Sequence, residues 1–182
     1  MKNLTETAIS QSDLNNDMLC TLYSTAFPAE EQIPWTDLMS LIDRMSLDFT
    51  AYYDDEMGLV GLTIVYPSTD FNWFWYFAVK EELRGHGLGE QILKRVLSKY
   101  ADTCLILDME SPEQECSNTE QRHRRHDFYS RNGFRDTDVF RKYGEIEMTV
   151  MMTGDGTFTL QDWDNITDEL KQFWWRGMPT DS

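Results

Sequence analysis

The segment that most constrains this chain runs from residue 71 to residue 100: an apolar stretch, FNWFWYFAV, then the turn RGHGLGEQ, then Ile92, Leu93, Val96, Leu97 and Tyr100 at helical spacing. The stretch is apolar on both alternating faces, which predicts a central strand buried on each side. Arg84, Gly87 and Gly89 fill the pattern R-x-x-G-x-G between that strand and the helix. Residues without side chains let the backbone wrap closely round an anion, successive N–H groups turn inward, and the helix adds its positive dipole end. A pyrophosphate is the natural guest of such a turn; a tight strand-to-helix connection with no ligand is the alternative. The G-x-G-x-x-G of dinucleotide folds and the G-K-[ST] of a P-loop are both absent.

The rest of the chain supplies a sheet for this unit. Residues 4–9 predict an edge strand, and Ser12 a helix cap followed by apolar Leu14, Met18, Leu22 and Ala26, with Phe27-Pro28 ending the helix. Pro34 opens a second helix through Trp35, Leu38, Met39, Ile42 and Met45. Phe49–Tyr53 and Leu59–Tyr66 form a hairpin about the polar turn Asp54-Asp55-Glu56. Beyond residue 100 the pattern predicts a strand at Cys104–Met109, a charged helix at Thr119–Arg131 stopped by Asn132-Gly133, and strands at Val139–Tyr143 and Ile146–Met152. Thr159 with Asp162 resembles a capping pair opening a last helix through Leu170, before a frayed GMPTDS tail. The fold class is α/β, or α+β with a mixed sheet, with helices on both faces. We expect one domain over 1–153, with 154–182 a C-terminal helical extension packing on it.

Lys and Arg number 16 against 32 Asp and Glu, a net charge of −16 that disfavours nucleic acid and anionic membranes as partners. Cys20, Cys104 and Cys116 contain no C-x-x-C pair and read as reduced thiols. The N-terminus lacks a signal-peptide core, and the longest apolar stretch, 58–66, is far short of the roughly 20 residues that span a bilayer, so a cytoplasmic location is expected. His123 and His126 lie three apart, but Arg122, Arg124 and Arg125 among them oppose a cation, so no metal site is expected and the two histidines read as part of a solvated face. Phe173, Trp174 and Trp175 read as core packing, with a homodimer contact or a lid as the alternatives.

Two segments carry a family resemblance. FAVKEELRGHGLGEQILKRVL resembles the coenzyme A-binding motif of the GNAT acetyltransferase superfamily, and RRHDFYSRNGF (124–134) resembles that family's second signature, a helix that presents a tyrosine and ends at an Asn-Gly-Phe turn. The likeness spans about residues 4–152. It implies a GNAT N-acyltransferase fold and an N-acetyltransferase that moves the acetyl group of acetyl-CoA, with no metal, onto a primary amine in a ternary complex. It further implies that backbone groups of Phe77, Ala78 and Val79 bond the pantetheine arm like an added strand. Arg84, Gly85, His86, Gly87, Leu88, Gly89 and Glu90 then surround the pyrophosphate, and Asn118 and Tyr129 reach the cofactor from the later helix. The QRHRR run, the chain's one basic patch, is a candidate for the nucleotide's 3′-phosphate.

The chemistry needs an oxyanion donor, an acid for the departing thiolate and a base for the amine. The Phe77 amide is the candidate donor and Tyr129 the candidate acid. Glu30, Glu31 and Glu110 are the candidate bases, plain loop charges being the alternative reading of each. An acidic cleft favours a small cationic acceptor. An acetyl-CoA-binding sensor without turnover and a protein (N-terminal or lysine) acetyltransferase are the alternative functions.

Overall fold

The computed structural model describes residues 4–174. It holds seven strands, β1 (Thr5–Ala8), β2 (Asp48–Asp54), β3 (Gly58–Pro67), β4 (Asn72–Val79), β5 (Leu105–Glu110), β6 (Arg135–Tyr143) and β7 (Ile146–Met152). Five α-helices accompany them: α1 (Asp17–Ala26), α2 (Trp35–Arg44), α3 (Leu88–Lys99), α4 (Thr119–Arg131) and α5 (Leu160–Trp174). The strands hydrogen-bond in the order β1-β2-β3-β4-β5-β7-β6, a mixed sheet. Two compact units share these elements. One contains the chain up to Pro67 with Phe74–Val96, the other Ser68–Trp73 with the chain from Leu97 on.

In the first unit β1, β2 and β3 pair antiparallel. The expected turn after β2 is closed by Asp54, whose Oδ1 accepts the amides of Glu56 at 2.9 Å and Met57 at 3.1 Å. The expected cap at Ser12 is displaced. The Ser10 amide donates to Asp13 Oδ2 and closes a separate 3-10 turn, and α1 begins after Asn16, whose Oδ1 accepts the Leu19 amide at 3.2 Å. Asparagine caps as well as serine, and starting there puts Leu19, Leu22 and Tyr23 inside while Leu14 and Met18 stay exposed. Strand β4 also departs from expectation. Phe74, Tyr76 and Ala78 are buried, but Trp75, Phe77 and Val79 are only half-buried. Phe77 and Val79 pack against a cluster of Leu4, Tyr52, Val60, Leu88 and Ile92, which seats α3 on the strands.

In the second unit, Asn72 and Trp73 at the start of β4 pair in parallel with Leu105 and Ile106. Strand β7 pairs antiparallel with both β5 and β6. Helix α5 is opened as expected by Thr159, whose amide and hydroxyl donate to Asp162 Oδ2 while the Asp162 amide donates back to Thr159 Oγ1. It runs past Leu170 to Trp174. Its Trp163 packs edge-on against Trp73 at 5.4 Å and against Phe158. Phe173 is half-buried; the side chain of Trp174, Trp175 and the GMPTDS tail lie outside the described residues. Among the described residues no helix is long and apolar enough to cross a membrane.

Candidate active site

The glycine turn grows out of the end of β4. The Lys80 amide donates to Val60 at 2.9 Å, Leu83 and Arg84 amides close a 3-10 turn on Lys80 and Glu81, and the chain then enters Gly85. Gly85 and Gly87 have φ of 79° and 75°, a region other residues avoid, and a Cβ added to either would meet nothing within 4 Å. The turn is thus open where an anion would sit. Arg84 is exposed and its Nε donates to the Val79 carbonyl at 3.2 Å, which anchors the guanidinium at the strand end while its Nη groups meet no partner among the described residues. His86 Nδ1 lies 3.3 Å from the Leu83 carbonyl. The Gln91 amide donates to Gly87 at 3.1 Å, so the amides of Leu88 and Gly89 lie ahead of the i→i−4 ladder of α3, at the positive end of its dipole. The Glu90 carboxylate itself is taken by Lys94 at 2.6 Å.

One residue of this region was passed over by sequence reasoning. A Cβ on Gly61 of β3 would stand 2.5 Å from the Ala78 carbonyl oxygen and 2.9 Å from Ile92 Cδ1, so only glycine lets β4 and α3 close on β3 here. The signal was a single glycine inside an otherwise apolar strand pattern. Glu30 and Glu31 are exposed on the turn Ala29–Glu31, where the Tyr76 hydroxyl donates to the Glu31 carbonyl at 2.6 Å.

The second unit holds the remaining candidates. Tyr129 is half-buried on α4, 5.3 Å from the Phe128 ring and 5.5 Å from that of Phe134. Burial pushes its phenol up to about 12, with the Arg125 charge pulling the other way, so it keeps its proton throughout the neutral range. Glu110 is bound on all sides. Arg122 Nη2 lies at 2.8 Å, Arg125 Nη1 at 3.7 Å and Asn118 Nδ2 at 3.5 Å. Arg122 also donates to Gln114 Oε1 at 3.1 Å and to the Ser111 carbonyl. Within the QRHRR run Arg122 is only 4% exposed, because the Glu110 carboxylate at the end of β5 draws it in. Outside that run, His126 is taken by Asp136 at 2.9 Å. Glu110 and Asn118 are brought together in one polar cluster at the strand end.

A different carboxylate stands out in the structure. Asp108, in the middle of β5, is half-buried and accepts the Trp73 Nε1 proton at 2.9 Å. Burial raises its pKa, opposed by that hydrogen bond and by the charge of Arg141. Sequence reasoning passed over it because LILDME reads as one short buried strand; the signal was the lone acid in that strand, which needs a partner to be there.

Residues 47–136, from the start of β2 into β6, match the family described as the acetyltransferase (GNAT) domain. The chain belongs to the GNAT acetyltransferase family. No curated protein matches it. Among solved structures, a GNAT family acetyltransferase from Bacteroides thetaiotaomicron is 22% identical, covering 96% of this chain and 99% of its own, with a TM-score of 0.74. A GNAT family acetyltransferase from Elizabethkingia anophelis with acetyl-CoA bound is 17% identical, covering 85% of this chain and all of its own (100%), with a TM-score of 0.60. The spermidine/spermine N-acetyltransferase SpeG from Vibrio cholerae is 16% identical, covering 82% and 91%, with a TM-score of 0.57. These likenesses establish the shared fold. This GNAT enzyme is an N-acetyltransferase, and its family match includes both the glycine turn and Tyr129.

Proposed function

We propose that this acetyltransferase acts on the primary amine of a small acceptor that arrives as an ammonium ion, and that the glycine turn holds the pyrophosphate of acetyl-CoA. The observation that carries the reading is the open turn itself: two glycines in left-handed conformation with empty space beside them, the start of α3 opening directly from the turn, and Arg84 anchored alongside. That donor set fits a doubly charged phosphate group. The backbone of Phe77, Ala78 and Val79 is assigned to the pantetheine arm, and the Phe77 N–H to the thioester carbonyl. His86 flanks the turn, and Asn118 is assigned to the arm from the start of α4.

When bound, acetyl-CoA supplies an activated acyl group, whose C–S bond breaks as the C–N bond to the acceptor forms. Asp108 takes the ammonium proton and so frees the nitrogen lone pair. A carboxylate whose charged form burial disfavours is a stronger base at neutral pH than an exposed one. Tyr129 Oη gives its proton to the leaving sulfur, and the second proton that the nitrogen sheds once the C–N bond has formed restores the phenol. Glu110 anchors α4 through Arg122 instead of acting as a base. Glu30 and Glu31 add to the negative field that draws an ammonium in.

The test is thiol release from acetyl-CoA across a panel of amines, with mass spectrometry of the acceptor. We expect thiol and acetylated amine in equal amounts, with protonated amines preferred over neutral ones and the preference narrowing as salt is added. Binding of acetyl-CoA with no turnover on any amine would contradict the reading.

A further inference from the structure

We infer that the acceptor carries a carboxylate beside its amine, an amino-acid-like zwitterion, and that Arg141 and the Trp163 indole N–H receive that carboxylate next to Asp108. The inference rests on the reading that the enzyme acetylates a small amine, and names the class of that amine. All the residues it uses lie in the second unit.

Register puts them on one face. Asp108 pairs opposite Val150, and Arg141 opposite Met148. Residues two apart on a strand share a face, and so do paired residues on neighbouring strands, so Asp108 and Arg141 project from the same side of the sheet. Trp163 of α5 lies over that side. The Arg141 guanidinium carbon is 4.1 Å from its ring centroid, and its ring meets that of Trp73, the residue whose indole N–H holds Asp108. A carboxylate and a guanidinium thus share one aromatic-lined patch, and no ion pair joins them among the described residues.

Trp163 is 2% exposed, and its own Nε1 has no hydrogen-bond partner among the described residues. Buried donors are nearly always paired, so an acceptor atom belongs there. A guanidinium beside an unpaired N–H is a site for a carboxylate, and Asp108 a side chain away is a site for an ammonium. A diamine would satisfy Asp108 only. It would leave the indole unpaired and set a second cation against Arg141.

The experiment uses the full chain with acetyl-CoA and compares each standard amino acid with its α-carboxamide and with the amine that lacks the carboxyl group. At least one free acid should exceed its amide in kcat/KM by roughly 10- to 100-fold, the worth of a charge-assisted hydrogen bond. Arg141→Gln should bring acid and amide to near parity in kcat/KM, mainly through KM of the acid. Amides or simple amines used as well as the acids, in an enzyme that does turn over, would overturn the inference and leave the acetyltransfer reading standing. No acetylation of any amine would overturn both. A preference for acids that survives Arg141→Gln would remove Arg141 from the site. Where Arg141→Gln does not fold, the acid-against-amide comparison on the unaltered chain decides.

Discussion

Gly61→Ala is the substitution whose consequence the geometry defines most closely. The new methyl carbon would stand 2.5 Å from the Ala78 carbonyl oxygen, where ordinary contact begins at 3.4 Å, so about 0.9 Å must be found. The obstacle is backbone, and the Ile92 methyl at 2.9 Å blocks a second direction. Strand β4 has to move away from β3 within the first unit. Overpacking of this kind costs about 1–3 kcal/mol, and a chain of this length loses roughly 2–4 °C of Tm per kcal/mol. Differential scanning calorimetry should therefore show a Tm lowered by about 2–12 °C. Ala78 is the middle one of the three residues whose backbone we assign to the pantetheine arm, so calorimetric titration should also show weaker acetyl-CoA binding. An unchanged Tm would refute the close approach of the strands. A lowered Tm with unaltered affinity would refute the role given to β4.

Gly87→Val places a branched side chain at a φ of 75° and into the open turn; acetyl-CoA binding measured by calorimetry should be lost while the circular dichroism spectrum is kept. Tyr129→Phe retains the ring contacts with Phe128 and Phe134, so thermal stability should barely change while kcat falls by about 10²-fold or more in steady-state assays. Asp108→Asn should lower kcat on a similar scale, and it should also stabilise the fold in a pH-dependent way. Because the folded pKa of Asp108 is raised, the stability linked to its protonated form is present below the ordinary carboxylate value of about 3.9 and is lost as pH rises through the folded value. Asparagine does not suffer that loss, so thermal melts should show a gain at neutral pH that disappears below about pH 4; a gain that grew on acidification would be the wrong sign.

Much of the fold was legible from local pattern because the pattern is local. The apolar spacing of α2, the β-branched and aromatic runs of β2 and β3, and the Thr159–Asp162 pair at α5 each act over a few residues, and the glycine turn is contiguous. The start of α1 was not legible in the same way: Ser10, Ser12 and Asn16 can all cap, and the choice among them is made by which residues α1 buries. The candidate site was less legible still. Asp108 acquires its meaning from Trp73, 35 positions away in sequence, and Arg122 looks solvated within a run of basic residues until Glu110, 12 positions earlier, draws it inward. Contacts made across a sheet leave no periodicity to read, only isolated anomalies such as one acid or one glycine inside an apolar strand.

The most direct test of the account is to follow the acetyl group. Acetyl-CoA isotopically labelled in the acetyl carbons, incubated with the full chain and an amine, should give the label on the amine nitrogen in equal amount to the thiol released, and both should vanish together in Gly87→Val. Label that ends in free acetate, or thiol released at the same rate without an amine, would contradict acetyl transfer to an amine as the activity of this protein.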